Sequence, residues 1–540
     1  MNDQWFGKTF WLTLGALAGG FLLSLAVFHN VGEGIFLAVV GLGIIALTVW
    51  RLEYGLLAAF AELFANSHGH LVSTEIGGFD LSLREVVFLA VMVGWVVYII
   101  RQKIKDTKFC VPTTIIKNPI WIYFLPIIIA VAIGYIVGFK ENEAGKAFND
   151  GNAYFYLAYL FPILSVKWDS IKQRQLLQVF AAAAIWVTIL TLGLLYEFTH
   201  FPAWMLSRSY TFIRDTRTGE LTRMTDSVFR IFLQAQFSTI IFAFLLAPWL
   251  WLKELDKKSK GRLLLILSCL AGTILIGLSR SFWVGILAGL VLFIFLLIKM
   301  VKPGIKLLAG SAGLGVVSGI IGGVILVLII LFPLPYRMSS PGELSALFSS
   351  RTSELGDVAI SSRWNLLPEM WEEVIAAPII GSGFGEEVTF KTDDPRARTI
   401  SPDGAWTTYT FEWGWLDLWL KMGILGPLAF LWLFFGLLKG LLADVVRLER
   451  NPSEALAKAD KSRPAWLTIG LVSGLFMLYA THVFSPYLNH PLGLGFLLFI
   501  VPFIKTETVL IPFRLPTVVI MERPTSLATT VGAPVQKILS

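Results

Sequence analysis

The sequence predicts an all-α membrane protein: a polytopic bundle of about 12–14 transmembrane helices with one large, partly helical loop on the outer face. Composition, the length of the apolar runs and the partition of charge between loops all point that way. Of the 540 residues, 56% are hydrophobic and 15% charged, with a mean hydropathy of +0.71. A soluble domain sits nearer ~45–50% apolar and ~25% charged, so the excess must face something other than water.

The apolar runs at 9–28, 83–100, 118–138, 175–198, 231–252, 305–332 and 465–480 approach the ~20 residues a helix needs to cross ~30 Å of hydrocarbon. They are rich in Leu, Ile, Ala and Gly with aromatics at their ends, and lack the alternation of a membrane barrel. Roughly 14 such segments can be counted by this length rule, the second and third of them short. The first run lacks a following small-residue cleavage site and reads as a retained helix. The two cysteines, Cys110 in a basic loop and Cys269 in a span, are poorly placed to pair.

A sequence pI of about 9.2 would suggest nucleic acid if the basic residues clustered on a solvated domain. They lie instead in short loops, so no nucleic-acid partner is expected. With the N-terminus in the cytoplasm, inward loops carry Arg101, Lys103, Lys105 and Lys108; Lys167, Lys172 and Arg174; Lys253, Lys257, Lys258 and Lys260; Lys299, Lys302 and Lys306; and Lys439, Arg447, Arg450, Lys458, Lys461 and Arg463. This satisfies the positive-inside rule and places both termini in the cytoplasm. The long connection at 333–413 is then outward and acid-rich, with Glu369, Glu372, Glu373, Glu386, Glu387, Asp393, Asp394, Asp403 and Glu412.

Two outward segments carry arginine against this trend. Residues 200–230 hold Arg208, Arg214, Arg217, Arg223 and Arg230, and the span ending at Leu278 meets the next at Ser279-Arg280-Ser281-Phe282-Trp283. Arg280 reads either as a snorkelling anchor or, with its neighbours, as a planar fork for phosphate. In the long loop, Trp364, Leu366, Leu367, Met370, Trp371, Val374 and Ile375 share one helical face. That spacing predicts a helix over 354–377, with Ser361 or Ser362 capping its second half, lying on the membrane surface or on the bundle. Pro378 ends it, and Gly381-Ser382-Gly383-Phe384-Gly385 follows as a close-approach turn. The loop is either a functional cover or a lid that merely packs.

Several motifs occur in a telling order: Ser279-Arg280-Ser281-Phe282-Trp283-Val284-Gly285 at a helix junction, Ser362-Arg363-Trp364 on the loop helix, the turn at 378–385, and Leu420-Lys421-Met422-Gly423-Ile424-Leu425-Gly426 in the re-entering helix. Together they resemble the O-antigen ligase and O-antigen polymerase superfamily of bacterial envelope glycosyltransferases. The resemblance divides the chain into an N-terminal bundle (1–261), a ligase-like region (262–438) containing the loop 333–413, C-terminal spans (439–505) and a cytoplasmic tail (506–540). It implies a multi-pass protein of the bacterial plasma membrane. It also implies a polyprenyl-diphosphate-linked glycan donor, a glycan, lipid or protein acceptor on the outer face, and an inverting transfer without metal or other cofactor.

The resemblance assigns the diphosphate to Arg280 and Arg363, and less firmly to Arg230. The ligases place a histidine where this chain has Glu412-Trp413. The reaction needs a base for the acceptor hydroxyl and cations for the departing diphosphate. Glu412 either serves as that base or pairs with an arginine to hold the loop. Asp417 is a further candidate, as a carboxylate within a membrane segment. His482 and His490 read as stand-ins for the missing histidine or as interfacial residues supporting the acceptor side. A competing reading is a flippase or transporter of a lipid-linked glycan or another anion. Transporters usually show matched halves with broken helices, and the glycine-rich stretches at 15–20 and 310–323 do not form such halves. A purely structural or sensing role lacks any recognisable signalling domain.

Overall fold

Backbone amides and carbonyls in hydrocarbon must be paired within their own segment, so apolar runs of this length close into helices. The computed structural model describes residues 4–30, 32–77, 79–105, 118–224, 228–253, 255–301, 305–335, 358–393, 395–450 and 464–504. Cys110, the expected start of the loop helix before 358, and the tail from Lys505 lie outside the described residues.

The chain opens with α1 (Lys8–Val27), α2 (Gly32–Trp50), α3 (Leu52–Ala65), α4 (Leu83–Lys105) and α5 (Trp121–Glu141). A broken segment follows, made of α6 (Ala144–Gly151), a 3-10 stretch (Asn152–Tyr159) and α7 (Leu160–Ser165). Then come α8 (Ser170–His200), α9 (Ala203–Asp215), α10 (Gln236–Leu252), α11 (Lys257–Gly277), α12 (Arg280–Val301) and α13 (Ile305–Ile330). The loop and C-terminal part supply α14 (Val358–Ala376), α15 (Pro395–Ile400), α16 (Gly414–Met422), α17 (Leu425–Arg450), α18 (Ala465–Thr481) and α19 (Pro491–Ile500). Among the described residues nine helices are long and apolar enough to cross a membrane, and three shorter apolar ones, α10, α18 and 491–503, accompany them. The chain is a multi-pass, mostly helical membrane protein.

Three antiparallel hairpins join the connections: β1 (Ser73–Ile76) with β2 (Phe79–Ser82), β3 (Glu220–Arg223) with β4 (Phe229–Phe232), and β5 (Val388–Lys391) with β6 (Ala405–Thr408). In the second, Thr222 faces Arg230 and Glu220 faces Phe232. The apolar run expected to form a helix from 231 thus begins as a strand, and α10 starts only at Gln236. The loop helix differs as well. Ser361 and Ser362 lie inside one continuous α14 rather than at a cap, because the helix is already running at Val358.

α8 is the central post. Ala181, Ala182, Ala183 and Ala184 are fully buried, and their small side chains let α1, α3 and α10 pack closely around it. α1 and α2 instead expose Leu12, Leu22, Leu23, Ile35, Val39 and Leu42, as suits helices turned toward lipid. α12 lies against α18 through small residues. A Cβ at Gly285 would collide with Thr481, and one at Gly289 would reach Ser473 O at 3.0 Å. In lipid such close backbone approach replaces the hydrophobic drive.

The helices sort the connections onto two ends. Contacts gather the segment after α3, the β3–β4 hairpin, the α11–α12 junction, the long loop and the turn after α18 at one end: Ser67 with Thr218, Arg230 with Gly277, Ser281 with Ser485, Asn142 with Ser382. The opposite ends of the same helices carry Arg101 on α4, Lys172 on α8, Lys257 on α11, Lys299 on α12 and Lys439 on α17. Replacing Gly289 with Val is expected to cost about 1–3 kcal/mol by overpacking the α12–α18 seam. A lowered melting temperature of the detergent-solubilised protein would register it.

Candidate active site

The helix junction is built by Gly277-Leu278-Ser279-Arg280. α11 stops because Leu278 takes a left-handed conformation (φ 46°), and α12 starts two residues later at Arg280. The end of a helix leaves carbonyls without intrahelical donors. Here Arg230 Nε donates to Gly277 O at 2.9 Å. The same guanidinium lies 3.6 Å from Glu220 Oε2 and 4.7 Å from the Phe232 ring centroid. Arg230 and Arg280, 50 positions apart in the chain, are therefore brought to one junction by the β3–β4 hairpin. Ser279 and Ser281, both buried, hydrogen-bond each other at 3.1 Å.

The long loop has its own small core. Leu366, Met370 and Val374 of α14 pack against Val388, Phe390, Phe411 and Leu420, with Trp406, Trp413, Leu416 and Trp419 around them. The apolar face read from the sequence thus rests on the bundle and on the β5–β6 hairpin. Trp364 and Trp371 flank this face, their rings edge-on to Trp413 and Trp419, and stay about half exposed. Arg363 Nε forms an ion pair with Glu412, and Trp413 Nε1 donates to Arg363 O at 2.9 Å. Glu412 stands one residue before the N-cap of α16, Trp413, where a helix N-terminus favours negative charge.

Beneath this platform lies a buried polar group. Lys421 Nζ is 2.6 Å from Asp150 Oδ1 and 2.6 Å from Asp417 Oδ1, with all three side chains at most 6% exposed. It also donates to Tyr409 O at 3.0 Å. Asp417 accepts a hydrogen bond from Asn489, and Asp150 accepts one from Gly385 N at 2.9 Å. The glycine-rich turn is seated on the same group. Gly383 has φ +85°, and a Cβ there would collide with Gly138 of α5. Phe384 N donates to Gly134 O at 3.0 Å, and Asn142 Nδ2 donates to Ser382 O and Phe384 O. The turn is a structural dock, which accounts for its glycine content. Beside it, burial and the neighbouring Glu373 push the Glu386 carboxyl upward.

The turn 482–490 stands between platform and junction. Phe484 meets Trp413 at 5.5 Å, and Ser485 Oγ donates to Ser281 Oγ at 2.9 Å. His482 is fully buried, accepts from Leu488 N at 3.2 Å and lies 5.2 Å from the Trp415 ring. His490 caps α19, accepting from Leu492 N at 3.2 Å. Both shape this turn. His200 likewise clamps α8 to the end of α13, with Nε2 2.8 Å from Phe332 O.

The structure brings Arg363 to Glu412 and Arg230 to the Arg280 junction, and links the two groups through the 482–490 turn. Sequence reasoning missed Asp150 and the role of Lys421. The four-residue spacing of Asp417 and Lys421 was a usable signal for an ion pair on one helix face, but nothing local marks Asp150. Among the described residues no group of three or more His, Cys, Asp or Glu is placed to hold a metal ion.

Lys421→Met is expected to destabilise the protein by about 3–5 kcal/mol, because it strands two buried carboxylates. Adding Asp150→Asn should recover part of that loss. Thermal unfolding in detergent of the single and double variants measures both.

No curated protein and no solved structure matches the chain. In this multi-pass membrane protein, residues 263–431, the stretch that contributes Arg280, Arg363, Glu412, Asp417 and Lys421, match the O-antigen ligase family model.

Proposed function

We propose that the chain is a glycosyltransferase of the bacterial plasma membrane. It transfers or polymerises a polyprenyl-diphosphate-linked glycan onto a glycan, lipid or protein acceptor at the outer face. The observation that carries this reading is the hydrogen bond by which Arg230 closes the end of α11 at Gly277, three positions before Arg280, within a region matched to O-antigen ligases. Arginine forks there suit a diphosphate and stabilise the charge that grows on it as it leaves. The acceptor hydroxyl attacks the anomeric carbon from the side opposite the diphosphate, so the sugar carbon inverts in a single displacement. Arg363 supplies a further cation from the loop, and Glu412 orients it through their ion pair. Asp417 serves by holding Lys421, and His482 and His490 by shaping the turn beneath the acceptor side.

The charge partition supports cytoplasmic termini with the loop outside. In a variant with both native cysteines replaced by serine, a cysteine at Thr389 should react with an impermeant maleimide in intact cells. One at Ser259 should react only after permeabilisation. The reverse pattern would refute the orientation.

Arg280→Ala and Arg363→Ala are each expected to slow consumption of the lipid-linked donor about 10²–10³-fold, the range for losing one preorganised charge stabiliser. Glu412→Gln should be milder than Glu412→Ala, because a neutral amide still hydrogen-bonds Arg363. If Glu412 were instead the base, the two variants would be equally dead. Unchanged turnover in both arginine variants would sink the transferase assignment.

A further inference from the structure

A cleft of about 430 Å³ opens beside Arg230, floored by Ser67 and His68 and walled by α9 and the β3–β4 hairpin. Its volume falls within the ~300–1,000 Å³ usual for small-molecule sites. Tyr210 presents a half-exposed ring, and Arg217, Glu220, Thr222 and Gln234 add donors and acceptors around it. An aromatic face with a ring of mixed polar groups suits a saccharide, whose rings have an apolar face and hydroxyl edges. Glu220 and Phe232 form the wall nearest the junction. Arg230 lies behind both and fastens that wall to Gly277, three positions before Arg280.

The floor is held rigidly. Ser67 Oγ donates to Thr218 O at 2.6 Å and accepts from Ala235 N at 3.3 Å, tying the floor to both sides of the hairpin. Gly69 follows with φ +81°, and a Cβ there would collide with Arg84. Arg84 is itself buried against Glu62 at 3.1 Å and donates to Asn66 O at 2.6 Å and Ser67 O at 3.2 Å. His68 is thereby fixed at the cleft floor, its ring edge-on to His490 at 5.4 Å. Burial, then the charges of Arg84, His70 and Arg217, lower its pKa to about 4. The imidazole is therefore neutral at neutral pH, in the form that takes a proton.

Resting on the transferase reading above, we propose that this cleft, built from residues N-terminal to the O-antigen ligase domain, holds the acceptor saccharide. His68 takes the proton from its attacking hydroxyl. The hydroxyl oxygen forms a bond to the donor's anomeric carbon and the carbon–oxygen bond to the diphosphate breaks. Its electron pair stays on the phosphate oxygen, and the hydroxyl proton passes to a ring nitrogen of His68. Arg84 is a positioning residue that holds the floor in place.

The test uses the full chain in membranes of the cells that produce it, which supply donor and acceptor, and follows consumption of the radiolabelled polyprenyl-diphosphate-linked glycan. His68→Ala should slow consumption about 10²–10⁴-fold, and added imidazole should restore roughly tenfold, as expected for a missing general base. Binding of undecaprenyl diphosphate to purified His68→Ala and His68→Gln should match wild type, which shows that both variants fold. A His68→Ala rate equal to wild type would overturn the proposal. So would a slow rate without imidazole rescue, or a Glu220→Gln variant that is slow and restored by an added carboxylate such as formate. If wild-type membranes consume no donor at all, the transferase reading itself falls and this inference with it. Consumption by wild type together with an intact His68→Ala rate removes the inference alone.

Discussion

Withdrawing a charged group from water costs several kcal/mol unless protein partners replace the lost hydration. Lys421 meets that demand with two carboxylates, one carbonyl and the ring of Phe411 at 5.1 Å. These partners come from three parts of the fold. Asp150 comes from α6, Asp417 from the preceding turn of α16, and Tyr409 and Phe411 from the end of the long loop. The two aspartates in turn hold the glycine-rich turn through Gly385 and the 482–490 turn through Asn489. One cation therefore fixes the loop, the re-entering helix and the last hairpin of spans relative to one another.

The seating of that loop matters because Arg363 and Glu412 ride on it. α14 is amphipathic, and its buried face packs on strands β5 and β6 and on α16. Trp413 joins Arg363 from below and touches Phe484 on the far side. Movement of the loop would carry this pair toward or away from the junction at Arg280. The glycines at 381, 383 and 385 limit such movement, since each lies against the backbone of α16, α5 or α6.

The other half of the proposed site comes from outside the matched region. Arg230 does two jobs with one side chain: it closes the exposed end of α11, and it backs the wall of the cleft above His68. Division of labour follows from this layout. In the proposed transferase, the matched region contributes Arg280 at the start of α12 and Arg363 on α14, and the N-terminal part contributes a polar recess walled by the β3–β4 hairpin. The Arg84–Glu62 pair under that recess is nearly as buried as Lys421, so both halves of the site stand on satisfied buried charge.

By itself the sequence determined the environment and the order of parts. Its apolar runs were long enough to require helices, because lipid offers the backbone no hydrogen-bond partners. The short link at 278–279 and the amphipathic run around Trp364 could likewise be read from local pattern. The partners of the charged residues could not. Asp150 reaches Lys421 across 271 positions, and Arg230 reaches Gly277 only because residues after Val228 fold into a strand instead of extending the helix. Local hydropathy scores 231–252 as one continuous run and cannot register that a hairpin partner at 220–223 claims its first residues. His68 carries no motif. Its position at the floor of a cleft was decided by tertiary structure, through a buried arginine and a serine that bind loops distant in sequence, because long-range hydrogen bonds leave no periodic trace in the chain.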